Sequence, residues 1–275
     1  LKKKNILKIL FWSENLMNII SDDLASKLPV VSSATKSIGY ISNSLANQYG
    51  FDLECRIDAG SGDNMYSALG TGNIEPGTVT ISLGTSGTAF TILDQPFVDK
   101  DGEIALCILS AINVGQLTQD LKDLPELCEL AVRSLDEVID YQRYPVEAAR
   151  LSTENRRSLG IGYIGLAHFL AKNKVKYDDP EAHKLVHKLT EHFQYNLIKT
   201  SVDLAKEKGP CGYVSQTKYH GGLLPIDHYK KDVDEIVKPE YECDWESLRE
   251  EVVKYGVRNS TLSAQMPSES SSVVS

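Results

Sequence analysis

The residues on either side of Gln95–Gly115 ("QPFVDKDGEIALCILSAINVG") follow different periodicities. That change is what most limits the folds open to this chain. Before it, glycine-rich turns separate short apolar runs that alternate like strands. After it, no glycine occurs between Gly115 and Gly160, and apolar residues recur at helical spacing. The sequence therefore reads as two pieces, 1–101 and 102–275, with the joint between about Asp99 and Leu106. A chain of 275 residues is long enough for two modest domains, each with a core of its own.

Charge and composition exclude several classes of function. The net charge of −9 argues against nucleic acid or an anionic membrane as partner, since both need clustered Lys and Arg. The basic run Leu1–Lys4 is too short to change this. No apolar stretch approaches the roughly eighteen residues needed to span a bilayer. Ile6–Trp12 lacks a cleavage site and is not read as a signal peptide. The first residue is Leu rather than Met, which points to a truncated or excised reading frame. Five scattered cysteines (Cys55, Cys107, Cys128, Cys211, Cys243) with no C-x-x-C pair fit a reducing cytoplasm, without a disulfide scaffold or structural zinc.

In the first piece, Ser13–Ile20 and Asp22–Lys27 have helical spacing, the second stopped by Pro29. "SIGYISNSLANQYGF" puts Ile38, Ile41, Leu45 and Tyr49 on one helical face, closed by Gly50. "CRIDAG" reads as a strand, and "TVTISLGTSGTAFTIL" as strand, tight turn and strand, with Val79 and Ile81 alternating with Thr80 and Ser82. Two loops have the chemistry of a site. In "GSGDN", Asp63 is placed to accept a proton from a hydroxyl, or to cap a helix that starts near Asn64. In "SLGTSG", Gly84, Thr85, Ser86 and Gly87 offer N–H groups and hydroxyls to phosphate, or form a plain hairpin turn. Neither is a Walker A motif.

Together these loops, in "IDAGSGDNMYSALGTGNIEPGTVTISLGTSGTAFTI", resemble the FGGY carbohydrate kinases, xylulokinases most of all, over roughly Ile9–Ala105. The resemblance implies an actin-like (ribonuclease H-like) fold that closes over sugar and ATP with Mg. It also implies Asp63 as the general base toward the sugar hydroxyl and Gly84–Gly87 as the ATP phosphate turn.

The second piece is helical. "LKDLPELCELAVRSLDEVIDYQ" places Leu127, Leu130, Ala131, Leu135 and Val138 on a stripe, with acids, Lys and Arg opposite. "RRSLGIGYIGLAHFLAKNKV" passes from a glycine-rich strand into a helix. "DPEAHKLVHKLTEHFQYNLIKTSVDLAKEKG" is a long helix stopped by Gly209-Pro210, and "DWESLREEVVKYG" runs from Asp244 to Gly256. "GVRNSTLSAQMPSESSSVVS" follows as strand, loop and tail. His183 and His187 have metal-ligand spacing, but no zinc-helix carboxylate accompanies them and a solvated face accounts for them, so no metal is assigned. Ser268–Ser272 read either as disorder or as an anion-binding loop.

"GEIALCILSAINVGQL", "NRRSLGIGYIGLAHFLAKN" and "DWESLREEVVKYGVRNSTLSAQMPSESSS" resemble the large subunit of class I ribonucleotide reductase, from about Gly102 to Ser275. The resemblance implies part of a ten-stranded α/β barrel, a ribonucleoside diphosphate substrate and a radical-generating small subunit as partner. It implies that Cys107 is one of the redox cysteine pair. It makes Pro267, Ser268, Glu269, Ser270 and Ser271 the loop holding the substrate diphosphate. The family's radical-bearing cysteine lies upstream of "EIALC", where this chain is kinase-like, so a fragment inactive by itself is expected. Three readings stay open: a reductase large-subunit fragment with no directly bound cofactor, a sugar kinase, and a non-catalytic chimera.

Overall fold

The computed structural model describes residues 23–83, 87–94, 106, 108–144, 146–235 and 238–268. The chain divides into two compact units, Leu1–Ile81 with Ala89–Phe97, and Ser82–Thr88 with Val98–Ser275.

The first unit runs α1 (Leu24–Lys27), β1 (Ser37–Tyr40), α2 (Asn43–Tyr49), β2 (Arg56–Asp58) and α3 (Asp63–Gly70). β3 (Val79–Leu83) and β4 (Gly87–Thr91) follow. β1 pairs antiparallel with β2, and β3 pairs with β4, as two separate two-stranded sheets. These short sheets do not by themselves build an actin-like fold. The sequence suggests one helix from Ile38 to Tyr49, but Ser37–Tyr40 is a strand. Gly39, at φ 151°, takes a backbone conformation closed to a helix. The helix starts only after Ser42, whose hydroxyl accepts the Leu45 N–H, and it ends at left-handed Gly50. The β3 pattern is also inverted: Val79 and Ile81 are exposed while Thr80 is half-buried. Asn73 is the cause, since its buried amide donates to Thr80 Oγ1 and to the Phe90 carbonyl.

The second unit holds β5 (Ile108–Asn113), α4 (Leu124–Tyr141), α5 (Glu147–Arg156) and β6 (Leu159–Ile164). It continues with α6 (Leu166–Lys172), α7 (Pro180–Lys208) and α8 (Trp245–Tyr255). β5 and β6 are parallel, Ile108 opposite Leu159 and Asn113 opposite Ile164. Parallel neighbours need a long crossover, which α4 and α5 supply. Residues 261–264 add a third parallel segment beside β6, bridged at Ile161 and Ser263. The 29 residues of α7 contain no internal Gly or Pro, start on Pro180 and stop at Gly209 with φ 85°. Their apolar stripe, including Leu189, Leu197, Ile198 and Val202, forms one core with Cys128 and Val132 of α4 and Trp245 and Val252 of α8.

The buried stripe of α4 is Leu124, Cys128, Val132, Asp136 and Ile139, whereas Leu130 and Val138 are exposed. The stripe read from the sequence is thus displaced by about one position. The displacement comes from Asp136, which pattern reasoning puts among the solvated acids and which is fully buried. Its Oδ1 accepts from Arg157 Nε at 2.7 Å and from Asn259 Nδ2 at 3.1 Å, and its Oδ2 accepts from Arg258 Nε at 3.4 Å. Arg157, itself in the left-handed region at φ 47°, reaches on to both oxygens of Asp140 at 2.7 and 2.8 Å. Asn259 closes the network by exchanging hydrogen bonds with Ser201 of α7. One carboxylate therefore joins α4, α7, the entry to β6 and residues 258–259.

Removing one partner of a buried pair leaves an uncompensated charge. Asp136→Ala should lower the unfolding free energy by about 3–5 kcal/mol in chemical denaturation; an unchanged midpoint would refute this role. The Arg157 guanidinium holds the Asp140 carboxyl below its ordinary value of 3.8. The stability it gives is complete above that value and lost as pH falls through the lower folded one. Asp140→Asn should therefore flatten the loss of stability below about pH 4, measured as melting temperature against pH.

Candidate functional site

The carboxyl ends of the parallel strands come together through backbone contacts that only glycine permits. The Asn113 side chain, at the end of β5, accepts the Gly115 N–H at 3.1 Å. Gly165, directly after β6, has φ 78°, and a β-carbon there would stand 2.6 Å from Asn113 Oδ1 and 2.9 Å from the Gly115 nitrogen. The turns after β5 and β6 are thus in direct contact. The third segment crosses equally close: a β-carbon on Gly162 would stand 2.3 Å from Met266 Sδ and 2.5 Å from the Ala264 carbonyl oxygen. Met266 is buried there, and Pro267 and Ser268 follow immediately, exposed and half-buried respectively.

The segment that leads into Pro267 is anchored at its start as well. Arg258 and Asn259 lie in the Asp136 network, the Arg258 N–H donates to the Ser201 carbonyl at 3.0 Å, and Ser260 Oγ lies 3.1 Å from Ser158 Oγ. These positioning residues are not apparent from spacing. Their only sequence signal is the "RN" that follows Gly256-Val257, an Arg-Asn pair too short to interpret without its partners. Near Ser158 and Ser260, at the opposite end of β6 from Met266, lies a cavity of about 480 Å³. Arg156, Lys218 and His228 line it together with Ser and Thr hydroxyls, and no described lining residue is a carboxylate.

Of the residues singled out by sequence, Asp63 is the first residue of α3 and exposed. Its Oδ1 accepts the Asn64 N–H at 2.8 Å, while Gly62 occupies the cap position. An acid in the first turn is favoured by the helix dipole. Gly87 opens β4, whereas Gly84, Thr85 and Ser86 lie outside the described residues. Cys107, Glu269, Ser270 and Ser271 also lie outside them. The structure therefore places Pro267 and Ser268 at the carboxyl end of β6 and leaves the rest of that loop undescribed.

The other cysteines are free thiols. Burial pushes Cys128 up to about 12 and raises Cys211, so neither is a ready thiolate. Burial, and then the Glu191 carboxylate, pushes Cys243 up to about 12. His183 and His187 line an apolar cavity of about 720 Å³ between α7 and residues 225–245. His192 is engaged with Glu242, Nε2 to Oε2 at 3.1 Å. No helix among the described residues is long and apolar enough to cross a membrane.

A family profile described as "Ribonucleotide reductase, barrel domain" matches residues 90–275. The "Ribonucleoside-diphosphate reductase subunit alpha" of Buchnera aphidicola subsp. Schizaphis graminum is 56% identical over 177 residues, 64% of this chain and 23% of that protein. The Haemophilus influenzae subunit of the same name is 54% identical over 181 residues, 66% of this chain and 24% of its own. That of Enterobacteria phage T4 is 51% identical over 176 residues, 64% of this chain and 23% of its own. This chain thus spans about a quarter of the length of the curated relatives it matches. The relatives named are reductase subunits, and they lend no support to the kinase-like reading of the first hundred residues or to a chimera. With two-thirds of its length matched by the profile and the parallel strands to go with it, the chain belongs to the ribonucleotide reductase barrel-domain family.

Proposed function

We propose that this chain is a segment of a ribonucleoside-diphosphate reductase alpha subunit whose contribution is one wall of the substrate site. In this reading Pro267–Ser271 hold the diphosphate of a ribonucleoside diphosphate. Backbone N–H groups and serine hydroxyls suit such an anion. The observation that carries it is the close passage of Met266 over Gly162, which fixes the start of that loop at the carboxyl end of β6. Ligands of open α/β sheets bind at that end of the strands. Cys107 is one of two thiols that together supply two electrons by forming a disulfide. The second thiol, the radical source and the small subunit come from outside the matched segment, so binding without turnover is the activity proposed for this chain by itself. No directly bound cofactor is required for that binding, and a cytoplasmic location goes with the reductase reading.

The alternative for the first hundred residues is a sugar kinase, with Asp63 as base and Gly84–Gly87 on the phosphates of ATP and Mg. It rests on their sequence resemblance alone. Hydrolysis of ATP stimulated by a pentulose and abolished in Asp63→Ala would establish it.

Calorimetric titration with a ribonucleoside diphosphate tests the main reading. Saturable binding is expected, with the parent nucleoside binding at least about tenfold more weakly, given the strength of charge-assisted hydrogen bonds to phosphate. Ser270→Ala with Ser271→Ala should weaken binding without shifting the melting temperature. Gly162→Val should weaken it by displacing Met266, and should lower the melting temperature too. Equal affinity for nucleoside and diphosphate would rule out the loop assignment. Thiol-dependent reduction of the diphosphate on adding a small subunit would show that the chain is competent for turnover as well.

A further inference from the structure

Glu191 of α7 is buried, 6% exposed, and among the described residues its carboxylate has no cation within ion-pair distance. Neutral groups hold it instead. Oε1 accepts the N–H groups of Glu242 and Cys243, each at 2.9 Å, and the Trp245 indole N–H at 3.1 Å. The neighbouring basic side chains are engaged elsewhere, Lys188 Nζ at 3.0 Å and His192 Nε2 at 3.1 Å from Glu242 Oε2. Buried carboxylates are ordinarily paired with a cation or bound to a metal. Two metal-ligand side chains of different softness also stand beside Glu191. A Glu191 oxygen, a His192 ring nitrogen and Cys243 Sγ all lie within 4.8 Å of one another.

We propose that Glu191, His192 and Cys243 bind a divalent transition-metal ion of the zinc class, joining residues 242–243 to α7. A mixed thiolate, imidazole and carboxylate set suits such an ion, and ligand bonds of about 2.0–2.3 Å put tetrahedral donors roughly 3.5 Å apart. The donor atoms, within 4.8 Å of one another without the ion, close to that spacing around it. Three N–H donors already fix the Glu191 carboxylate, the role that outer-shell hydrogen bonds play at metal sites. His192 exchanges its bond to Glu242 for the metal. Lys188, about one-third exposed, turns to solvent.

A metal of this class takes Cys243 as the thiolate. Binding therefore breaks its S–H bond, forms one sulfur–metal bond and releases one proton to solvent. No electron is transferred. The incoming charge supplies the cation that the buried carboxylate lacks.

Titration of the metal-stripped full chain with Co²⁺ at neutral pH tests the site. A thiolate-to-cobalt charge-transfer band should saturate at one equivalent and disappear on adding Zn²⁺. Cys243→Ser should abolish the band, while Cys55→Ser and Cys107→Ser retain it. His192→Gln, which removes a direct ligand, should weaken Co²⁺ binding by more than the roughly tenfold that loss of an outer-shell partner alone costs, with the metal-free melting temperature unchanged. Absence of the band overturns the proposal, as does a band that survives Cys243→Ser or is lost in Cys107→Ser.

Discussion

The second unit depends on the buried ion network around Asp136. Asp136 lies on the core face of α4, where a leucine would be the ordinary occupant, and it is fully shielded from water. A carboxylate in that position is costly unless every lone pair is met. Arg157 meets them from one stretch of chain, and Arg258 and Asn259 from another. The left-handed backbone at Arg157 is tolerated because its guanidinium is held on both Asp136 and Asp140. An apolar contact can slide, whereas a bidentate ion pair fixes direction. The network therefore sets where residues 258–260 emerge beside β6.

From that anchor the chain is guided to the carboxyl end of the strands. The segment after Asn259 bonds along β6, and Met266 enters the space left by the missing side chain of Gly162. Gly165 permits the same closeness between the turns after β5 and β6. Positioning at one end and close packing at the other leave little freedom in the path to Pro267. In the function proposed above, a fixed approach to the anion-binding segment lowers the entropy lost on binding.

The first unit is built differently. Its described buried residues are few, Ala46, Ala68 and Asn73 among them, and its sheets are two-stranded. A polar contact, Asn73 to Thr80 and Phe90, links the turn after α3 to β3 and β4. Asp63 shows how far a motif can be carried. Its local setting, glycine before and helix after, is as the string suggests, but a base needs a hydroxyl held beside it. An exposed carboxylate bonded to the next backbone N–H does not by itself constitute a site.

Elements whose signals are local were legible in the residues alone. α7 follows from an uninterrupted helical period between Pro180 and Gly209, and α8 from Asp244 and Gly256 as its limits. The passage from β6 into α6 and the family of the second piece were legible in contiguous strings. Tertiary structure alone decided which face each element buries. Asp136 sits in the core because partners 21, 122 and 123 residues away in the chain converge on it. Thr80 is covered and Ile81 exposed because Asn73 needs a hydrogen-bond partner. Gly162 matters because Met266, remote in sequence, crosses it. Hydrophobic periodicity reports the average preference of a side chain for water, and a buried ion network or a close backbone crossing overrides that average through contacts which sequence spacing does not encode.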